Sequence, residues 1–132
     1  MDNFKYYQPN KKDIKDKSGD CAVRCICKAE NIEWLEAYDI MSQYAREVQS
    51  PFNVKMGFEH VVTRLGYKYK GISNRAGSKR PTVNEFAEKH KKGTYICVIA
   101  NHYVTIQDGK YYDIWDSGKK SMYGYWTKEA IT

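Results

Sequence analysis

Cys21 and His102 are the two residues of this 132-residue chain whose types and surroundings indicate chemistry. Cys21 follows Ser18-Gly19-Asp20, a stretch that predicts the start of a helix with Asp20 as its N-cap. A thiol on the first turn of a helix lies at the positive end of the helix dipole, which lowers the thiol pKa toward the reactive thiolate. His102 begins a predicted strand, and a rigid strand can hold the imidazole against that thiol. A nucleophile, a base and an acid that orients the base are the requirements of covalent acyl transfer.

A predicted hairpin supplies the third member of such a site. Asp108-Gly109 is a strong signal for a two-residue turn, and the register that follows from it makes Asp113 a diagonal neighbour of His102. Asp116 then falls on the opposite face. A three-residue turn or a bulge would shift the register and bring Asp116 to the histidine instead. We therefore predict Asp113 as the orienting acid, with Asp116 as the alternative.

The elements that position these residues are helices first and antiparallel strands after them, which is the pattern of an α+β fold. The chain is predicted to form a single domain, 1–132, with an irregular arm (1–17), a mainly helical half (18–93) and antiparallel strands (94–126). Helices are predicted at 21–30, 32–48, 55–65 and from Thr82 or Asn84 to His90, and strands at 67–72, 94–100, 103–106, 110–115 and 123–126. The apolar stripe of the second helix is predicted to be Ile32, Leu35, Tyr38, Met41, Ala45 and Val48.

The composition is that of a folded protein with aromatic residues in its core. Val, Ile, Leu and Phe are few, but 12 Tyr, 3 Trp and 4 Met supply the missing volume. No apolar run reaches the roughly 20 residues of a membrane span. The first residues, MDNFK, do not have the layout of a secretory signal. We therefore expect a cytoplasmic protein without a membrane partner, in which the four cysteines are reduced.

Taken in order, these motifs resemble those of the small papain-like cysteine peptidases. The resemblance covers about residues 18–126 and rests on Ser18–Arg24 (SGDCAVR), His102-Tyr103-Val104, Tyr112–Ser117 (YDIWDS) and Tyr123–Trp126 (YGYW). It is to the bacteriocin-processing branch, which is common in bacteriophages and their bacterial hosts. It implies a papain-like fold in which the helical half packs on the sheet, with the cleft between them. It also implies a peptide or protein substrate, with Cys21 as nucleophile, His102 as general base and acid, and Asp113 as the orienting acid.

The chemistry implied by the resemblance needs no metal or organic cofactor, and the same triad also supports deamidation or transfer to another amine. Papain relatives usually carry a glutamine shortly before the nucleophile that donates to the oxyanion. Here Gln8 lies thirteen residues upstream. The backbone amide of Cys21 can supply one donor, and the second stays open between Asn10 and Gln8.

Other functions are also compatible with the sequence. A protein of this fold without catalytic activity could bind a host protein, and the absent glutamine favours that alternative. A basic patch interleaved with Tyr67 and Tyr69 would instead fit nucleic acid, although no nucleic-acid motif accompanies it. The residues of that patch are Lys68, Lys70, Arg75, Lys79, Arg80, Lys89, Lys91 and Lys92.

The remaining cysteines, histidines and tryptophans have simpler interpretations. Cys25, Cys27 and Cys97 are predicted to be core residues. Cys25 and Cys27 project from nearly opposite helix faces, so they do not form a zinc knuckle. Surface positions are expected for His60 and His90. Trp115 and Trp126 are expected in the core or the cleft wall, where Trp115 could shield the ion pair from water.

Overall fold

A computed structural model describes residues 3–74 and 79–130 of the chain. It is an α+β structure in which a six-stranded mixed sheet carries helices on both faces. The elements are β1 (Phe4–Tyr6), α1 (Cys21–Glu30), α2 (Trp34–Arg46), α3 (Lys55–Arg64), β2 (Lys68–Gly71), α4 (Val83–Lys89), β3 (Thr94–Ile99), β4 (His102–Gln107), β5 (Lys110–Asp113) and β6 (Gly124–Thr127). No helix in these described ranges is both long enough and apolar enough to cross a bilayer.

The sheet has the order β1-β5-β4-β3-β6-β2, and its first strand corrects a prediction. Residues 1–17 were expected to be irregular, but β1 pairs in parallel with β5, so the sheet is mixed rather than antiparallel throughout. Three residues with one polar centre carry no strand period, which is why the sequence pattern does not reveal β1. Asn3, buried just before it, donates to Asn84 (3.0 Å) and Glu88 (2.6 Å) and so ties the arm to α4.

Two apolar clusters lie on opposite faces of the sheet, because successive side chains of a strand point in opposite directions. On one face, α1, α2 and α3 cover Ile96 and Trp126. On the other face, α4 covers Cys97 and Val104. The sequence was interpreted as placing one helical half against the sheet. The nearly continuous apolar run of β3, with the successive residues Ile96 and Cys97 both buried, explains why a helix covers each face instead.

Helix α1 has the predicted bounds, and its start is the element that positions the candidate nucleophile. It begins at Cys21 and ends at Asn31, whose left-handed backbone (φ 56°) closes the last turn. Asp20 is the N-cap residue as predicted, but its side chain makes no capping hydrogen bond. That carboxylate binds other partners, which are described with the site below.

Helix α2 exposes two residues that were predicted to be buried. Its buried side chains are Ala37, Met41 and Ala45, whereas Leu35 is 70% and Tyr38 42% exposed. Met41 and Ala45 are buried as predicted, and Ala37, four residues before Met41, takes the buried position expected for Tyr38. Small residues at two of its three positions allow close approach to α1 and α3, and the larger Leu35 and Tyr38 are left outside the contact.

The turn between β4 and β5 has the predicted length and register. Asp108 (φ 50°) and Gly109 (φ 82°) both have positive φ, as a type I′ turn requires, and Gln107 pairs with Lys110. Helix α4, which precedes β3, has Thr82 as its N-cap with a complete capping box. Asn84, the alternative cap, is therefore not used. The hairpin carries His102 at one end and Asp113 at the other, which brings the two to the same end of the sheet.

Candidate active site

The thiol of Cys21 lies at the N-terminus of α1 and is close enough to the His102 side chain for each group to shift the pKa of the other. The backbone N–H of Tyr103 is a second partner of the sulfur. Burial alone would raise the Cys21 pKa, but the hydrogen bonds to His102 and Tyr103, helped by the positive charges of His102 and Arg24, lower it below the ordinary value. The structure therefore joins the two residues that are 81 positions apart in the chain.

His102 is held from its other side by the carboxylate of Asp113. Its Nε2 donates to Asp113 Oδ2 at 2.7 Å. Burial disfavours the charged imidazole, but the hydrogen bonds to Asp113 and Cys21 outweigh it and raise the His102 pKa to about 9. A lowered thiol pKa beside a raised imidazole pKa favours the thiolate–imidazolium pair.

Asp113 is buried (1% exposed), and in the described ranges each hydrogen-bond partner of its carboxylate is a donor. Besides His102, the Ser117 hydroxyl donates to Oδ2 (2.8 Å), the Ile114 backbone N–H to Oδ1 (2.8 Å) and Arg24 Nη2 to Oδ1 at 3.4 Å. Donors on both oxygens fix the plane of the carboxylate. The contribution of Ser117, which lies four residues beyond Asp113 on an irregular segment, was not predicted.

Arg24 joins Asp113 to Asp20, the residue before the candidate nucleophile. Its guanidinium donates from Nη1 to Asp20 Oδ1 at 2.5 Å, and its side chain is only 6% exposed. Trp34 Nε1 donates to the other oxygen of Asp20 at 2.8 Å. The negative charge next to Cys21 is therefore neutralised by a partner one helical turn away, which limits its repulsion of a thiolate.

Asp116, the alternative acid, does not contact His102. Its Oδ1 accepts from the Tyr111 hydroxyl (2.5 Å) and from the Gly118 backbone N–H (3.0 Å), and the residue is exposed. Because the two-residue turn sets the register of β5, it is Asp113 that reaches the histidine. The roles of both residues in a reaction stay predictions, but the placement favours Asp113.

The other three cysteines lie in the apolar interior. All four cysteines are free thiols, and Cys25, Cys27 and Cys97 are no more than 3% exposed. Burial raises the pKa of Cys27 to about 12 and raises the pKa values of Cys25 and Cys97 as well. Only the thiol at the start of α1 combines partial exposure with a basic neighbour, which is the environment of a reactive cysteine.

A cleft of about 440 Å³ opens beside Cys21. Asn10 lines it, with its Oδ1 accepting from the Lys12 backbone N–H at 3.0 Å. Gln8 is turned away, since its Nε2 donates to Asp16 (3.0 Å). Of the two side chains considered for the oxyanion, Asn10 is therefore the one at the cleft. As the first residue of α1, Cys21 also has a backbone N–H with no intrahelical acceptor.

The remaining histidines and tryptophans lie where their surroundings give them structural roles. His60 is within 2.7 Å of Glu47 on the surface, and His90 stacks on Phe86. Trp126 is buried. Trp115 is 41% exposed, and its ring lies 5.1 Å from the His102 ring, so it covers one side of the imidazole.

The predicted basic patch is not the flat stacking surface that its sequence suggested. Tyr67 is 4% exposed and donates to Glu30 at 2.5 Å, which withdraws it from any ligand. Tyr69 remains 46% exposed, with its ring against Trp126. The described basic residues are divided among the β2 edge, the loop before α4 and the end of α4: Lys68, Lys70, Lys79, Arg80, Lys89, Lys91 and Lys92. Arg75 lies outside the described residues.

No cluster of three or more His, Cys, Asp or Glu side chains suited to a metal ion occurs in residues 3–74 and 79–130. Comparison of the chain with known protein families, with curated protein sequences and with solved structures finds no match. The function proposed below therefore depends on the geometry around Cys21.

Proposed function

We propose that this protein is a cysteine hydrolase, most simply a peptidase or amidase of papain-like type. The observation that carries the proposal is the placement of Cys21 beside His102, whose imidazole is hydrogen-bonded to the buried Asp113. Nucleophile, base and orienting acid are the set that acyl transfer through a thioester needs. A helix that starts at the nucleophile and packs against the hairpin carrying His102 and Asp113 supports a papain-like arrangement.

The reaction proceeds in two steps at the Cys21 sulfur. In the first step the thiolate attacks the carbonyl carbon, forming a C–S bond. The C–N bond then breaks as the His102 imidazolium gives its proton to the leaving amine. In the second step His102 takes a proton from water, whose oxygen attacks the thioester. The C–S bond breaks, the acid leaves and the thiolate is restored.

The oxyanion formed in each step has two candidate donors. The backbone N–H of Cys21 is the first, and the amide nitrogen of Asn10, across the cleft, is the second. Asp113 keeps its charge throughout and stabilises the imidazolium without accepting its proton.

A second candidate function is that of a catalytically inactive protein that binds another protein through the same cleft. The observation that favours it is the position of Gln8, whose amide nitrogen is held by Asp16 rather than turned to Cys21. Loss of one oxyanion donor typically costs about 10² to 10³ in rate. Such a protein would keep a reactive Cys21 but would turn over no substrate.

Alkylation by iodoacetamide at pH 6 tests the reactive thiol. Ordinary cysteines with a pKa of about 8.5 are almost entirely protonated at this pH. Cys21 should therefore be carboxamidomethylated at least about a hundredfold faster than Cys25, Cys27 and Cys97, as read by peptide mass spectrometry. In the Cys21→Ala variant the fast phase should disappear. Slow and equal reaction of all four cysteines in the folded wild-type protein would contradict the proposal.

Turnover separates the two candidate functions. Wild-type protein and Cys21→Ala are incubated with a pool of synthetic peptides, and new termini are counted by mass spectrometry. A hydrolase gives products only with wild type. Fast alkylation without products from any peptide would favour the binding protein.

A further inference from the structure

The cleft beside Cys21 has one aromatic wall, which the reaction described above does not use. Trp34 and Tyr38 lie one turn apart on α2 with their rings stacked at 5.2 Å, and Phe52 meets Tyr38 edge to face at 5.2 Å. All three line the cleft. Tyr38 is 42% exposed, so its ring is accessible to a ligand in the cleft.

The remainder of the lining is polar but carries almost no free charge. Three amide side chains, Asn10, Asn53 and Asn101, line the cleft together with Cys21. An amide can both donate and accept, as a peptide backbone requires of its partner. Among the described lining residues the one charged side chain is Asp20, which Arg24 and Trp34 already neutralise and bind.

This lining contrasts with the net charge of +6 of the whole chain. A cleft for an anionic substrate would place basic side chains near the nucleophile, and the described lining contains none. An uncharged ligand with one large apolar group and a peptide-like polar group fits both walls. The volume of about 440 Å³ lies within the range of small-ligand sites.

We infer that this cleft is a specificity subsite that binds an uncharged, aromatic or large aliphatic side chain adjacent to the amide attacked by Cys21. Trp34, Tyr38 and Phe52 contact the apolar group, and the asparagine amides bind the peptide backbone. The inference rests on the proposed function for its nucleophile. The selectivity itself belongs to the cleft walls and can be measured separately.

Three chloroacetamides that differ only in the nitrogen substituent test the subsite: N-benzyl, N-methyl and N-carboxymethyl. In each, the Cys21 thiolate displaces chloride, so a C–S bond forms and a C–Cl bond breaks. We expect the N-benzyl compound to alkylate Cys21 about tenfold faster than the N-methyl compound, with a rate that saturates with concentration. The negatively charged N-carboxymethyl compound should be no faster than the N-methyl compound.

Variants of the aromatic wall show where the preference arises. Tyr38→Ala and Phe52→Ala should each bring the benzyl-to-methyl ratio toward one, whereas Leu35→Ala should leave both that ratio and the iodoacetamide rate of Cys21 unchanged. Leu35→Ala is the matched control, since Leu35 lies on the same helix, is 70% exposed and is not part of the lining. Tyr38 is partly exposed, so its replacement should preserve the fold, and circular dichroism checks this.

Two results would overturn the inference. One is a benzyl-to-methyl ratio near one in the wild-type protein, and the other is a high ratio that Tyr38→Ala and Phe52→Ala both leave intact. Failure of the proposed function gives a different pattern. In that case iodoacetamide reacts slowly with Cys21 at pH 6, and the benzyl-to-methyl ratio is still measured at pH 9, where the thiol ionises regardless of His102.

Discussion

Each of two regions of this molecule contains a cysteine and a histidine, and only one of them has the geometry of a reactive site. At the α1 end of the sheet, Cys21 lies beside His102, and a buried carboxylate is hydrogen-bonded to the imidazole. On the α4 face, Cys97 is completely buried among apolar side chains, and burial raises its pKa well above the ordinary value. The His90 ring there stacks on Phe86 at 3.6 Å.

The difference lies in the partners of each group rather than in its type. His90 Nδ1 is within 2.8 Å of the carbonyl oxygen of Phe86 on its own helix, so the ring closes the end of α4. His102 has an anion on one side and a thiol on the other. The partner of the His90 ring nitrogen is a backbone carbonyl of its own helix, whereas His102 is bound to a carboxylate that is itself fixed by other donors.

The largest effect should come from removing His102, with removal of His90 as the matched comparison. His102→Ala takes away the main group that lowers the Cys21 pKa, so the thiol should return toward an ordinary pKa and lose about a hundredfold in alkylation rate at pH 6. His90→Ala should leave that rate unchanged. Iodoacetamide labelling followed by mass spectrometry measures both.

The two variants also test whether the comparison is correct. Equal alkylation rates for His102→Ala and wild type would mean that the helix start alone activates Cys21. In that case the imidazole would be a structural neighbour, as His90 is. Unfolding by urea, followed by fluorescence, shows whether either variant has lost its fold.

A smaller effect is expected at Arg24, which we interpret as a positioning residue because it acts through Asp20 and Asp113. Arg24→Met removes the cation that neutralises Asp20 and fixes one oxygen of Asp113. Both losses disfavour the thiolate, so the midpoint of the pH profile for Cys21 alkylation should rise by about one pH unit. The rate at pH 6 should fall about tenfold.

The pH profile distinguishes positioning from a purely structural role. A residue that only stabilises the fold would lower the temperature of unfolding without moving the midpoint. Arg24→Lys, which keeps the charge, should restore much of the wild-type midpoint. Arg46→Met, at the exposed end of α2, serves as the matched control and should leave the profile unchanged.

The local part of this site could be predicted from the sequence. Cys21 as the first residue of α1 follows from the Ser-Gly-Asp entry, and the turn at Asp108-Gly109 sets the register that brings Asp113 to His102. These features depend on residues close together in the chain, where turn chemistry and helix caps act directly. The α+β class follows from the order of the same elements.

The parts that could not be predicted depend on contacts between distant segments. β1 is only three residues long and exists because β5 offers it a free edge. Arg24 reaches Asp113 from a helix that is 89 residues away along the chain. Ser117 is only 4 residues from Asp113, but it lies on an irregular segment whose contact no turn or helix signal specifies. Tyr38 was predicted to be core, and its exposure follows from the packing angle of α2, which no periodicity specifies.

The smallest effect concerns the stability of the region around His102 as the pH changes. Cys21→Ala removes the thiol, whose lowered pKa would otherwise add a stability contribution with the opposite pH dependence. Asp113 still raises the His102 pKa above the unfolded value of 6.5. A group whose pKa is higher in the folded state stabilises the fold fully below the unfolded pKa and loses that contribution as the pH rises through the folded pKa. Between pH 6.5 and 9.5, Cys21→Ala should therefore lose on the order of 1 kcal/mol of unfolding free energy relative to Cys21→Ala/His102→Gln.

Urea unfolding at several pH values measures the difference. Parallel curves for the two proteins would mean that His102 gains no charge stabilisation from Asp113 and would bring it closer to His90 in character.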